Sequence, residues 1–219
     1  AVIDGGSIPA ESGERFDSIN PATGKRLARV ARGAAADVDQ AVAAASDALP
    51  EWRSMPPQAK GRLLRKLADR IRAEQGRLAE LETLDNGKPL SHARADVETC
   101  ARYFEYYAGI ADKLHGDSIP LTDDYVDFTV REPLGVTAQI IPWNLPTNIF
   151  GRSVAPALAT GNVAVVKPAE QTSITAIEIG ALAAEVGFPP GVLNIVPGFG
   201  AEAGARVAGH PDIDGISFT

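Results

Sequence analysis

A single cysteine, Cys100, is all the thiol in this 219-residue chain, so no internal disulfide can form and a reducing compartment is the natural setting. Long apolar runs are missing too. None approaches the roughly 18 residues that mark a bilayer span, and no charged-then-apolar signal segment opens the chain. We therefore expect a cytoplasmic protein with no membrane partner. Clustered positive charge is also lacking: 21 Lys and Arg stand against 28 Asp and Glu, a formal charge of −7, with the basic residues scattered along the first half. A field of that sign repels phosphate backbones, which argues against nucleic acid as a partner. His92, His115 and His210 form no metal or triad spacing with Cys100, so no metal site is expected.

What is present is ordinary for a globular chain, 45% hydrophobic and 22% charged, and long enough for one large domain or a domain with an appendage. Residues 1–33 read as short hairpins around the turn signals Ile3-Asp4-Gly5-Gly6 and Asn20-Pro21-Ala22-Thr23-Gly24-Lys25. Asp37 and Gln40 suggest a capping box, followed by Val38, Ala41, Val42 and Ala45 at helical spacing until Pro50. A second helical region starts at Pro56-Pro57, with Leu63, Leu64, Leu67 and Ile71 on one face and Arg62, Arg65, Lys66 and Arg70 on the other. A further helix through Leu78, Leu81 and Leu84 stops at Asp85-Asn86-Gly87. Charges in this region read as a solvated face. The next helix, about Ser91 to Leu114, carries Val97, Cys100, Ala101, Phe104, Tyr107 and Ala108 on its apolar stripe, where Cys100 reads as a buried structural thiol.

Ser118 to Arg131 alternates with period two and reads as an exposed hairpin, a device that often pairs with another chain. Beyond it, apolar runs at Val136 to Ile141, Val163 to Val166, Val192 to Val196 and Ile213 to Phe218 alternate with helical segments near Asn148 to Ala159, Thr175 to Val186 and Ala201 to Ala208. That order predicts an α/β fold, a Rossmann-like parallel sheet with helices on both faces, beside the N-terminal helical region and the protruding hairpin.

Open α/β sheets bind nucleotides at the carboxyl ends of their strands. Asn144 follows the first run between Pro142 and Pro146, where a fixed amide can donate to an oxygen that gains charge; an asparagine satisfying its own turn would leave the same sequence. Lys167 and Glu170 follow the second run. A lysine there can hold a ribose hydroxyl or phosphate, and a carboxylate can accept from both ribose hydroxyls while repelling a 2′-phosphate, a pair that favours NAD over NADP. A loop salt bridge is the plainer alternative. Gly198-Phe199-Gly200-Ala201-Glu202-Ala203-Gly204 has one residue more than the usual dinucleotide fingerprint, and a glycine turn packing a helix on the sheet would look alike.

The chain resembles the aldehyde dehydrogenase superfamily over essentially its whole length. The resemblance rests on Asn20-Pro21-Ala22-Thr23-Gly24, Leu84-Asp85-Asn86-Gly87-Lys88-Pro89, Arg131-Glu132-Pro133-Leu134-Gly135-Val136, Pro142-Trp143-Asn144, Ala155-Pro156-Ala157-Leu158-Ala159-Thr160-Gly161-Asn162, Lys167-Pro168-Ala169-Glu170 and Ile216-Ser217-Phe218-Thr219, all in family order. It implies NAD-dependent oxidation of an aldehyde to an acid through a cysteine thiohemiacetal and thioester. Asn144 would stabilise the oxyanion, Lys167 and Glu170 would hold the adenosine ribose, and Ile140, Ile141, Pro142 and Trp143 would line the cofactor cleft. Gly200, Gly204, Phe218 and Thr219 would form its helix and floor, and Leu145 and Ile149 would touch the substrate or belong to the core.

By the same resemblance, residues 1–115 form the first part of the cofactor-binding domain, 116–133 an oligomerisation arm for a homodimer or homotetramer, and 134–219 the Rossmann-like NAD-binding core. Two features depart from the family: Ser153 stands where many members carry a lysine, and Leu145 replaces a frequent aromatic residue. The family's nucleophilic cysteine, general-base glutamate and a Gly-Ser pair lie beyond Phe218-Thr219. We expect a fragment carrying the cofactor half, inactive alone. The alternative is a natural truncation serving as a non-catalytic dinucleotide-binding or interaction module. Release of the free acid and transfer to coenzyme A both remain open.

Overall fold

The structure is a computed structural model and describes residues 1–219. In chain order it contains β1 (Val2–Ile3), β2 (Gly6–Ser7), β3 (Arg15–Ile19), β4 (Arg26–Ala31), α1 (Ala35–Ser54), α2 (Pro57–Ala73), α3 (Gln75–Asn86) and α4 (Leu90–Ile110). There follow β5 (Ser118–Ile119), β6 (Asp127–Phe128), β7 (Val136–Ile141), α5 (Pro146–Ala159), β8 (Val163–Pro168), α6 (Ile174–Glu185), β9 (Leu193–Ile195), α7 (Ala205–Ala208) and β10 (Gly215–Phe218). A π-helical turn, Gly200–Gly204, leads into α7.

The expected α/β architecture is present. The four apolar runs become β7, β8, β9 and β10, all parallel, in the order β10-β7-β8-β9. Their β-branched side chains suit strands buried on both faces, and Val163 to Val166 are fully buried. Helices α5 and α6 pack against the sheet, as does α1, which also contacts α7. The first hairpin, read as a local unit, instead joins this sheet: β1 pairs antiparallel with β9 through Val2 opposite Ile195, and β2 closes that edge. Strands β3 and β4 form a separate two-stranded sheet, as do β5 and β6.

Both ends of α1 differ from the sequence reading, and α4 stops at Ile110, short of the expected Leu114. Asp37 is not the residue that starts α1 but lies one turn inside it, its carboxylate accepting from the Ala34 amide at 2.9 Å and the Glu11 amide at 2.8 Å. Helix α1 continues through Pro50 to Ser54. Pro50 is exposed, so water can satisfy the carbonyl it frees, and burial of Trp52 beyond it favours continuation. Helix α3 does stop as expected: Gly87 takes φ +86°, and a Cβ there would come 2.7 Å from Pro21 Cγ, so the Asn20-Pro21 turn rests on the helix end.

Helix α4 crosses α5 closely at Gly151, where an added Cβ would lie 2.8 Å from Cys100 Cα, 2.9 Å from its Sγ and 3.0 Å from its carbonyl oxygen. Because most of that clash is with backbone, Gly151→Ala is expected to cost about 1–3 kcal/mol. Thermal unfolding should register this as a fall of roughly 2–4 °C per kcal/mol. An unchanged Tm would show that the two helices can separate freely. No helix is long and apolar enough to cross a membrane.

Candidate functional site

Strands β7, β8 and β9 step in one direction, and β10 lies on the other side of β7. The connections therefore diverge between β7 and β10, the point in such sheets at whose carboxyl ends ligands are taken. The first turn beyond β7 opens at this point. Ile140 and Pro142 are half-buried, Ile141 is buried, Trp143 is 59% exposed, and Asn144 is exposed. Phe218, opposite Ile140 in register, is 77% exposed, and the Thr219 amide donates to the Ile140 carbonyl at 3.4 Å.

The polar bonds around this turn are made by Asn144's neighbours. Asn86 Nδ2 donates to the Trp143 carbonyl at 2.6 Å, and Thr147 Oγ1 donates to Glu82 Oε2. Asn144 itself faces solvent, and its side-chain amide is not consumed in closing its own turn. Pro142 and Pro146 lack amide hydrogens and restrict the backbone on either side, so the amide is presented from a stiff support.

Near the carboxyl end of β8, Lys167 is buried and its Nζ donates to Glu170 Oε2 at 3.1 Å. The loop salt bridge named as the plainer alternative is thus present. A buried ammonium has three hydrogens, and this bond uses one. Burial pulls the Glu170 carboxyl upward, but its own backbone amide and the Lys167 ammonium outweigh that effect and hold it below its ordinary value. A Cβ built at Gly204 would lie 4.0 Å from Lys167 Cε, which puts the lysine stem beside the glycine turn; Gly200 is open.

Trp143, Glu170 and Phe199 share the lining of a cleft of about 700 Å³ with Asp85, Asn86 and the β3 residues Phe16 to Ile19. Phe199 is held between Phe16, 5.3 Å between ring centroids, and the Arg32 guanidinium, 5.1 Å from its ring. Arg32 also pairs with Glu202 through Nε at 3.0 Å and Nη2 at 2.5 Å. The β3–β4 hairpin is thereby fastened to the glycine turn.

Leu145 is 38% exposed beside Asn144, whereas Ile149 belongs to the hydrophobic core, so only Leu145 offers surface to a ligand. Cys100 is fully buried and burial pushes its thiol far above the ordinary value, which removes it as a nucleophile.

Carboxylates on α3 and α4 are buried, Glu82 among them although the charges of its helix read as a solvated face. Glu82 and Asp96 both meet Lys88 Nζ, at 2.5 and 2.7 Å, while Asn148 Nδ2 donates to Asp96 Oδ1 at 3.0 Å. With the Thr147 bond, this cluster ties α3 and α4 to the first turn of α5, directly after Asn144. Asp85 is also buried, accepting from Ser18 Oγ at 2.5 Å and the Ile174 amide at 3.1 Å. Burial raises the carboxyl pKa of both Glu82 and Asp85, against the opposing hydrogen bonds. A signal was available: Leu78, Glu82 and Asp85 fall at i, i+4 and i+7, so both acids occupy the buried stripe.

With this geometry in place, comparison with known proteins locates the chain. Residues 8–219 match the sequence model of the aldehyde dehydrogenase family. The chain is 46% identical over 217 residues to a hydroxyisobutyraldehyde dehydrogenase of Mycolicibacterium austroafricanum, covering 99% of this chain and 43% of that protein. It is 49% identical over 214 residues to human retinal dehydrogenase 2, covering 96% of this chain and 41% of that protein. Its fold matches an NAD⁺ complex of an aldehyde dehydrogenase from Bacillus cereus with a TM-score of 0.96 and 43% identity, covering 98% of this chain and 44% of that one. The chain thus spans less than half the length of these relatives. On sequence and fold together, it belongs to the aldehyde dehydrogenase family.

Proposed function

We propose that this chain is the cofactor-binding part of an NAD-dependent dehydrogenase that oxidises an aldehyde to a carboxylic acid through a cysteine thiohemiacetal. In this reading the nucleophile belongs to other residues of the polypeptide that carries the chain. The observation that carries it is Lys167, a buried ammonium with one protein partner beside Glu170 at the carboxyl end of β8. Its unused hydrogens and the Glu170 carboxylate match the hydroxyls of a ribose in both donor and acceptor character. Gly200 and Gly204 carry no side chain at the two ends of the adjoining helical turn, so a ligand can approach the backbone at those positions. Trp143 and the half-buried Ile140 and Pro142 form the wall leading to Asn144, with the buried Ile141 behind it, and Phe218 and Thr219 form its floor.

NAD held by these residues would supply the hydride acceptor for oxidation of the thiohemiacetal to a thioester. The chain's own part is electrostatic. Asn144 donates from a proline-flanked turn to the oxygen that becomes negative when a thiolate adds to the aldehyde carbonyl, and Leu145 borders the substrate. Lys167 and Glu170 hold the adenosine end at a fixed distance from that amide.

The exposed hairpin at 116–133 is the oligomerisation arm in this reading, flanked by residues 1–115 and 134–219 of the cofactor-binding domain. Ile119, Leu121, Tyr125, Val126, Phe128 and Val130 on it are all exposed, an apolar surface suited to another copy of the chain. The lone buried thiol agrees with a reducing, cytoplasmic setting.

The nucleotide assignment is tested by the dissociation constants for NAD and NADP of the polypeptide carrying this chain. NAD is expected to bind more tightly, because a 2′-phosphate would face the Glu170 carboxylate. Glu170→Ser should narrow the preference by about tenfold or more, mainly by improving NADP. Equal affinities in the parent would remove Glu170 from the ribose.

A further inference from the structure

The Asp85-Asn86-Gly87 stop of α3 does more than end a helix, because its two consecutive side chains reach two different loops. Asn86 Nδ2 donates to the Trp143 carbonyl at 2.6 Å. That oxygen belongs to the peptide whose nitrogen is Asn144's, so the bond orients the plane from which the Asn144 side chain departs. Asp85 Oδ2 accepts from the amide of Ile174, the first residue of α6, at the far end of the loop that leaves Lys167 and Glu170. Its other oxygen accepts from Ser18 Oγ at 2.5 Å, and both residues are buried.

The helix end that carries them is itself fixed. Gly87 lies against Pro21, α3 packs on α4 and α6, and Glu82 holds Thr147 one turn earlier. Adjacent residues on one rigid turn therefore set the separation between the two loops. We infer that Asp85 and Asn86 are positioning residues, Asn86 for the turn that presents Asn144 and Asp85 for the loop that presents Lys167 and Glu170. The inference rests on the roles proposed above for Asn144, Lys167 and Glu170, but its structural half can be measured without activity.

Three variants of the polypeptide carrying this chain separate the effects. Asn86→Asp keeps the shape and removes the donor, Asp85→Ala removes the acceptor, and Asp85→Asn retains an oxygen for the Ile174 amide. Asn86→Asp should lower kcat about tenfold and leave the KM for NAD within about twofold. Asp85→Ala should raise that KM about tenfold with kcat little changed, and Asp85→Asn should restore most of it. In amide hydrogen exchange, Asn86→Asp should speed exchange at residues 143–147 and Asp85→Ala at 171–175, each leaving the other loop as it was.

Parallel losses in both kinetic constants, uniform faster exchange, or no change in either loop would overturn the assignment. If the parent polypeptide oxidises no aldehyde with NAD, the proposed function fails. The exchange pattern then decides alone whether each residue holds its loop.

Discussion

Asn144→Ala in the polypeptide that carries this chain is expected to lower kcat by about 10²–10³-fold, the effect of removing one fixed donor to an oxyanion. The size follows from where the amide sits. Asn144 is exposed, stands between two prolines, and is carried on a turn whose preceding carbonyl is held by Asn86 and whose following helix is held by Glu82. A donor already oriented before substrate arrives costs no reorganisation when charge develops, so its loss appears in the chemical step. NAD affinity should stay within about twofold, because the ribose contacts proposed for Lys167 and Glu170 lie at the end of a different strand. Asn144→Asp should be at least as damaging, since it places negative charge where negative charge must form. Steady-state kinetics with separate measurement of NAD binding tests both claims. Near-native kcat in Asn144→Ala would remove Asn144 from the reaction, and loss of NAD binding would reassign it to the cofactor.

The parallel sheet was legible because Val136 to Ile141 and Val163 to Val166 are β-branched runs with helical patterns between them, a signal carried by local order. The positions of Asn144, Lys167 and Glu170 at the strand ends followed from the same runs. What escaped depends on contacts distant in sequence. Two-residue β1 has too little pattern to announce that Val2 pairs with Ile195, and the pairing exists only because β9 offers a free edge. Pro50 was read as a stop, although the weight of Trp52 packing beyond it carries α1 onward. Asp85 and Asn86 meet partners 89 and 57 residues away, so their cap sequence showed a helix end and nothing of the loops they touch. Glu82 was read as part of a solvated face although it shares a helical stripe with Leu78, and its partner Lys88 lies beyond the cap, where helical periodicity no longer relates them.

That pair gives the largest stability effect. Lys88→Met should destabilise the chain by about 3–5 kcal/mol at neutral pH, since it leaves Glu82 buried and uncompensated and strips Asp96 of the same cation. The loss should depend on pH in a defined direction. Burial already raises the Glu82 carboxyl pKa above its ordinary value of 4.5, with Lys88 and Thr147 opposing, so removing Lys88 raises it further. A folded state with a raised carboxyl pKa binds protons more tightly than the unfolded chain. Its relative stability is fully present below the unfolded value and is lost as pH rises through the folded value. Denaturant unfolding should therefore show a smaller penalty at about pH 5 than at about pH 8. Adding Glu82→Gln to Lys88→Met should recover part of the loss at pH 8 and little at pH 5, because it removes the charge that the lysine had balanced. Equal penalties at both pH values, with no recovery in the double variant, would mean that Lys88 contributes packing alone. In that case the hold on Thr147 and the first turn of α5 would have to come from the Glu82 hydrogen bond without its charge.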